Sequence, residues 1–492
     1  MKKFLKAMGL ILLHAAILLL IPLNKYVCDL NEGITIAVAA IWLIALQILF
    51  WKKTQKKTGV ILLDVFIYAY VIFLVMINPY WNCSYNRLDA FSKECDGEKM
   101  LSGREAIEDF DYAMKYLKRL HPLAYKGLPA DAEAKAEQVR RGLESRDSIL
   151  TYELSREIQS VFALLNDGHT SCSESYNELH YMKYIYRMKT EGYIPVGING
   201  ERYEDFLNDH PGLVCYETES YGIRRLKNRT NTLEGLRYLG IDINGEIIYN
   251  YETENGETVG RAVTADDFLP LEDYYDFIEE DMGVNVREED EEDFVYYDID
   301  EDLSLAVLTL NSCKFNNTYK QTLAAMFKEI REKDIRNVAV DLRYNGGGSS
   351  QVADEFISYL DVDEYKGWAF EWRMNFFKIP FAQETIKNPK KADLFDGDVY
   401  IITSVNTFSA AMDFAMLIQD NGIGTIVGEP CGNLPGSYGE VVGYNLPNSG
   451  IYFQVSTKDW HRVDITKDED PIIPDIECRP DEALEVLKER LK

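Results

Sequence analysis

The sequence predicts an α/β protein with a membrane-embedded N-terminus, on three observations. From residue 303 onward, short apolar strand-like runs alternate with helical stretches, the pattern of a layered α/β core. Residues 103–165 repeat apolar positions at helical spacing, so a block of amphipathic helices precedes that core. The first eighty residues hold three apolar runs, 4–23, 33–51 and 59–80, each near the length that crosses a bilayer.

Taken in order, the three runs read as transmembrane helices forming an anchor over 1–81. Lys2, Lys3 and Lys6 precede the first, and Lys52, Lys53, Lys56 and Lys57 separate the second from the third. Lysine-rich short loops stay cytoplasmic, so everything beyond Trp81 is expected outside, at the cell membrane. Cys83 and Cys95 flank a short polar loop in the linker 82–100, which suits a local bridge in an exported protein. The helical cap subdomain covers 101–175, broken at His121-Pro122. An insert follows over 176–302, and its last part, from Asp266, is dominated by Asp and Glu; a solvated acidic loop is its default reading. The α/β core occupies 303–492, with strands at 305–310, 338–342 and 399–403 and a helix at 319–332.

Composition narrows the partners. With 81 acidic against 52 basic side chains the net charge is −29, which argues against nucleic acid or an anionic lipid surface. No Cys-x-x-Cys or Cys/His cluster suggests zinc, and no metal or cofactor is expected.

Three segments carry chemistry. In Thr407-Phe408-Ser409-Ala410-Ala411, a serine stands between an apolar strand and a helix-forming run. At a helix start its hydroxyl meets the positive end of the dipole, and following N–H groups can face an oxyanion. A plain N-cap would use serine there as well. In Val340-Asp341-Leu342-Arg343-Tyr344-Asn345-Gly346-Gly347-Gly348, glycines after a strand allow close backbone approach. In Leu164-Leu165-Asn166-Asp167-Gly168-His169-Thr170, a histidine beside an Asp-Gly turn can project into a cleft, or simply close the turn.

These segments, in this order, with Ile-Val-Gly-Glu-Pro at 426–430 and Pro-Asp-Ile-Glu at 474–477, resemble the C-terminal processing (tail-specific) protease and tricorn-core superfamily of serine peptidases. The resemblance runs over about 101–492. It implies a spiral ββα core of the ClpP/crotonase type, a helical cap over the substrate groove, and a PDZ-like module in the insert, here without the usual carboxylate-binding loop. Tail-specific members use a Ser-Lys dyad, but the stretch Cys431-Gly432-Asn433-Leu434-Pro435-Gly436-Ser437 has no lysine. Met412 also stands where dyad-type relatives carry a glutamate. The tricorn-like branch, with a Ser-His-acid site, is therefore the better match. It implies Ser409 as nucleophile, His169 as base and Asp468 or Glu469 as the orienting acid, Asp468 being favoured on spacing. The oxyanion hole then falls to Ala410 and the Gly346–Gly347 loop. Glu429 and Glu440 are rival acids and His461 a rival base, while Lys458 is expected at the surface. The function so implied is a membrane-anchored serine endopeptidase acting on extracytoplasmic proteins or peptides. The competing reading is an inactive peptide- or lipid-binding protein on the same scaffold.

Overall fold

Six strands build the main sheet, in the order Val295–Asp300, Leu305–Leu310, Asn337–Asp341, Asp398–Thr403, Thr425–Gly428, Ile476–Glu477. The first pairs antiparallel with the second, and all later neighbours run parallel. Strands covered on both faces read as continuous apolar runs, and Val338, Ala339 and Val340 are fully buried. The expectation of an α/β core is met, and the strand ends anticipated from sequence fall within a residue or so of those observed.

The computed structural model describes residues 95–253, 255–284 and 294–492, with scattered positions between 41 and 69. The three N-terminal apolar runs and Cys83, with its anticipated bridge to Cys95, lie outside the described residues. No helix among the described residues is long and apolar enough to cross a membrane. The chain divides into two compact units; the main sheet, the cap and the insert belong to the one comprising Cys95–Arg373, Lys378–Val441 and Leu446–Lys492.

Helices cover the sheet where the sequence supplies caps. Asn317–Lys333 begins at Asn316, whose side chain accepts from Tyr319 N at 3.0 Å, and ends where Asp334 turns left-handed at φ 52°. Its Tyr319, Leu323, Met326, Phe327 and Ile330 are buried on the sheet's core. Ala410–Asp420 carries almost only apolar residues and is buried along Ala410–Met412 and Phe414–Ile418, as befits a central helix.

The cap consists of Gly103–Leu120, Ala130–Glu144 and Thr151–Phe162, the first opened by a Ser102/Glu105 capping box. A short 3₁₀ turn, Ala163–Leu165, stops at left-handed Asn166 (φ 48°), and the chain then runs through His169 into the strand Ser171–Ser173. That strand pairs with Tyr452–His461, which ties the cap to the core. The link fixes His169 from two sides: Gln454 Nε2 donates to His169 O at 2.7 Å, and Ser456 N to Thr170 Oγ1 at 3.0 Å.

The insert has its own apolar core and a four-stranded antiparallel sheet, Glu201–Arg202, Ile194–Ile198, Ile247–Glu252 and Thr258–Val263. Leu233–Leu239 in the insert is a helix rather than a strand, because Thr232 caps its start and Gly240 (φ 82°) its end. Nor is the acidic stretch simply a loop. Leu271–Met282 is helical and Val295–Asp300 is a strand of the main sheet, with Ile278 and Val295 supplying the buried positions.

Candidate active site

The strand Asp398–Thr403 leads into a loop that the preceding crossover clamps. Thr407 Oγ1 donates to Leu342 O at 2.8 Å and accepts from Ser404 N at 3.0 Å, while Phe408 N donates to Asn345 O at 3.0 Å. The chain can then enter the helix Ala410–Asp420 only by a sharp turn, and Ser409 takes it at φ 56°, ψ −128°. A non-glycine residue held there costs about 1–3 kcal/mol, a strain that concentrates at functional sites. The Ser409 side chain makes no capping hydrogen bond, so the plain N-cap explanation fails. A strained strand-to-helix turn is the arrangement that exposes a nucleophilic serine.

Glycine is required beside it. Gly347 sits at φ +101°, and a Cβ there would lie 2.7 Å from Ser409 Cβ and 2.8 Å from Phe408 O. We expect Gly347→Ala to lower kcat/KM by about 100-fold or more through displacement of the serine. Steady-state kinetics beside a thermal melt will separate this from unfolding. The nearby backbone donors fall into two groups. Ser409 N donates to Asn433 Oδ1 at 2.7 Å and Gly347 N to Asn345 Oδ1 at 2.8 Å. The N–H groups of Ala410, Gly346 and Gly348 have no acceptor among the described residues. Of the three oxyanion donors expected, Ala410 and Gly346 are therefore available, and Gly347 instead supplies space.

Ser409 and His169 line one cleft of about 570 Å³, together with Arg225, Asp413, Glu440, Lys458 and Trp460. The imidazole packs against the Phe408 ring at 4.5 Å between centroids, and both its nitrogens are buried without a hydrogen-bond partner among the described residues. Its Nδ1 lies 3.8 Å from Asp167 Oδ1 and 3.9 Å from Glu217 Oε1. These are too long for hydrogen bonds, although catalytic contacts in ligand-free sites often tighten only around substrate. Burial alone would lower the His169 pKa, but Glu217, Asp167 and Asp413 outweigh it and raise the value.

The three carboxylates differ. Asp167 is fully buried between two histidines: its Oδ2 meets His121 Nε2 at 3.0 Å and its Oδ1 accepts from His169 N at 2.8 Å. Burial would raise its pKa, but the His121 hydrogen bond and the charges of His121 and His169 hold it well below the usual range. Glu217 Oε1 accepts from Gly168 N at 3.1 Å and Oε2 from Leu434 N at 2.8 Å, joining the histidine turn to the loop beside Ser409. Burial pushes its pKa up. Asp413, one helical turn beyond Ser409, is pushed up to about 7 by burial despite His169 and Lys458 nearby.

Asp167→Ala would orphan two buried donors, and we expect a loss of about 1–3 kcal/mol for each, read as a lower Tm. Because the folded pKa is depressed, this stabilisation is fully present above about pH 4, the unfolded carboxyl's range, and is lost as pH falls below it. The difference between the two proteins should shrink in acid.

The acid expected from sequence is corrected. Asp468 Oδ2 meets His461 Nδ1 at 2.9 Å and its Oδ1 accepts from Arg462 N at 2.6 Å, so it serves the rival histidine and a turn rather than His169. Its neighbour Glu469 is not among the carboxylates around His169 either. Glu429 holds Val405 N at 2.9 Å. Lys458 is not at the surface: it is buried, 3.2 Å from Glu440 Oε2, over the rings of Phe370 and Trp460 at 4.6 and 4.7 Å. Sequence reasoning missed Glu217 altogether. It lies in the insert, 48 positions after His169, in Tyr216-Glu217-Thr218, which carries no local signature.

Residues 304–478 match the model of peptidase family S41, a span that includes Ser409 and the Gly346–Gly348 loop but not His169. Among solved structures the chain is similar to mature CPAF complexed with lactacystin, at 12% identity over 79% of this chain and 98% of that one, with a TM-score of 0.54. It is also similar to the photosystem II D1 C-terminal processing protease, at 13% identity over 78% and 97% with a TM-score of 0.43. The tricorn protease matches at 13% identity over 79% of this chain and 37% of that one, with a TM-score of 0.34. At such identities the CPAF likeness speaks to the fold alone.

Proposed function

We propose that this chain, whose residues 304–478 match peptidase family S41, is a serine-type peptidase, an endopeptidase that uses Ser409, His169 and Glu217. The observation that carries the reading is the strained turn at Ser409, uncapped and opening on the cleft that His169 also lines. In the reaction, Ser409 Oγ attacks the scissile carbonyl while His169 takes its proton. The oxyanion is received by Ala410 N–H and by Gly346 or Gly348 N–H, at the positive end of the helix. His169 then gives the proton to the leaving amine, and water, activated by the same imidazole, releases the acyl group. Glu217 orients the ring and stabilises the imidazolium; Asp167 is already the partner of His121.

The proposal includes the anchor: three N-terminal spans, lysine-rich on the cytoplasmic side, present the peptidase outside the membrane to extracytoplasmic proteins or peptides. The insert serves as a substrate-positioning module. Treatment of the purified full chain with a fluorophosphonate probe, followed by peptide mapping, tests the nucleophile. Labelling at Ser409 is expected, and labelling elsewhere, or none in the presence of cleavable peptide, removes the assignment.

A further inference from the structure

A second cavity, of about 1010 Å³, lies between the cap and the insert. It shares two lining residues, Tyr221 and Arg225, with the Ser409 cleft, so the two are neighbours across one wall. Its charge runs against the rest of the molecule. In a chain of net charge −29 it gathers Lys189, Arg224, Arg225 and Arg229 around a single carboxylate, Glu174. That carboxylate is already satisfied, by Arg229 and by Ser155 Oγ at 2.7 Å. The Lys189 ammonium makes no ion pair among the described residues. Arg224 and Arg225 lie over the Tyr221 ring at 5.4 and 5.1 Å, and their only other direct partners among the described residues are neutral, Asn406 Oδ1 and Cys215 O. The Tyr176 hydroxyl, buried at the cavity wall, has no hydrogen-bond partner among the described residues. Three cations, Lys189, Arg224 and Arg225, beside an acid already neutralised by Arg229, with an unsatisfied donor, describe a site for anionic groups.

We propose that this cavity is a recognition subsite for the Asp and Glu side chains of the peptide substrate, reached from Ser409 across Tyr221 and Arg225. The inference rests on the peptidase reading and names its substrate class as acidic peptides. Guanidinium and ammonium groups in a partly enclosed cavity are screened less than at an open surface, and tyrosine hydroxyls add neutral donors.

The test uses the purified full chain and quenched fluorescent peptides matched in pairs, Asp/Glu against Asn/Gln, each with a free or an amidated C-terminus. We expect acidic peptides to be preferred in kcat/KM by about 10- to 100-fold with either terminus, the range of one or two charge-assisted hydrogen bonds. Lys189→Glu and Arg224→Glu should each shrink that ratio by about tenfold or more, and the exposed Lys189 guards against a misfolded Arg224 variant. Equal turnover of both members, or a preference that follows the terminal carboxylate alone, overturns the proposal. Anisotropy of the same peptides on Ser409→Ala reads the subsite independently of turnover. Charge-selective binding to this variant, with no hydrolysis of the same peptides by the parent protein, supports the subsite while counting against the endopeptidase reading, and binding without charge preference counts against the subsite.

Discussion

Ser409→Ala is expected to lower kcat/KM by at least about 10⁴-fold, leaving only what the oxyanion donors and binding contribute. Its Tm should stay near that of the parent, because alanine inherits the same φ 56°, ψ −128° turn and Ser409 Oγ makes no cap. Ser409→Gly separates chemistry from strain. It removes the same hydroxyl but relieves the backbone, so it should be equally inactive and more stable, by about 1–3 kcal/mol. Denaturant unfolding of the three proteins measures this. A glycine variant no more stable than the alanine variant means that the turn stores no strain, and residual activity above about one per cent in either would falsify the nucleophile.

The second large effect is at Glu217. His169 acts as a base only when neutral, and its pKa is raised above the ordinary value of about 6.5. Activity should therefore rise with pH through a limb above 6.5. Glu217→Gln keeps the shape but removes a negative charge, so the imidazolium loses support. We expect kcat/KM to fall by about 10²- to 10⁴-fold and the acidic limb to move to lower pH. Asp413 titrates near 7 in the same cleft, so the limb reports the coupled group rather than His169 alone. Asp468→Asn is the contrast: its partners are His461 and Arg462, and the limb should stay in place. Should the limb move in Asp468→Asn and stay in Glu217→Gln, the orienting role passes to Asp468.

Legibility varies with how local the determining interactions are. The core strands and the Asn317–Lys333 helix can be read because apolar periodicity and caps act within a few residues. The Ser409 elbow is visible as a strand, a short polar loop and an apolar helix, yet its backbone angles come from Thr407 and Phe408 being tied to Leu342 and Asn345. The helix Leu233–Leu239 in the insert is set by its ends, Thr232 as N-cap and left-handed Gly240 as C-cap.

The sequence by itself determined the α/β core, the helical cap, the serine before its helix, the glycines beside it and the histidine turn, since each depends on residues adjacent in the chain. Only the tertiary structure decided which carboxylates surround that histidine. Pairing Ser171–Ser173 with Tyr452–His461 carries the turn to the cleft, and the insert brings Glu217 beneath it, while Asp468 is drawn off to His461. A buried imidazole takes its partners from whatever groups the fold packs within a few ångströms, and chain spacing does not encode that distance.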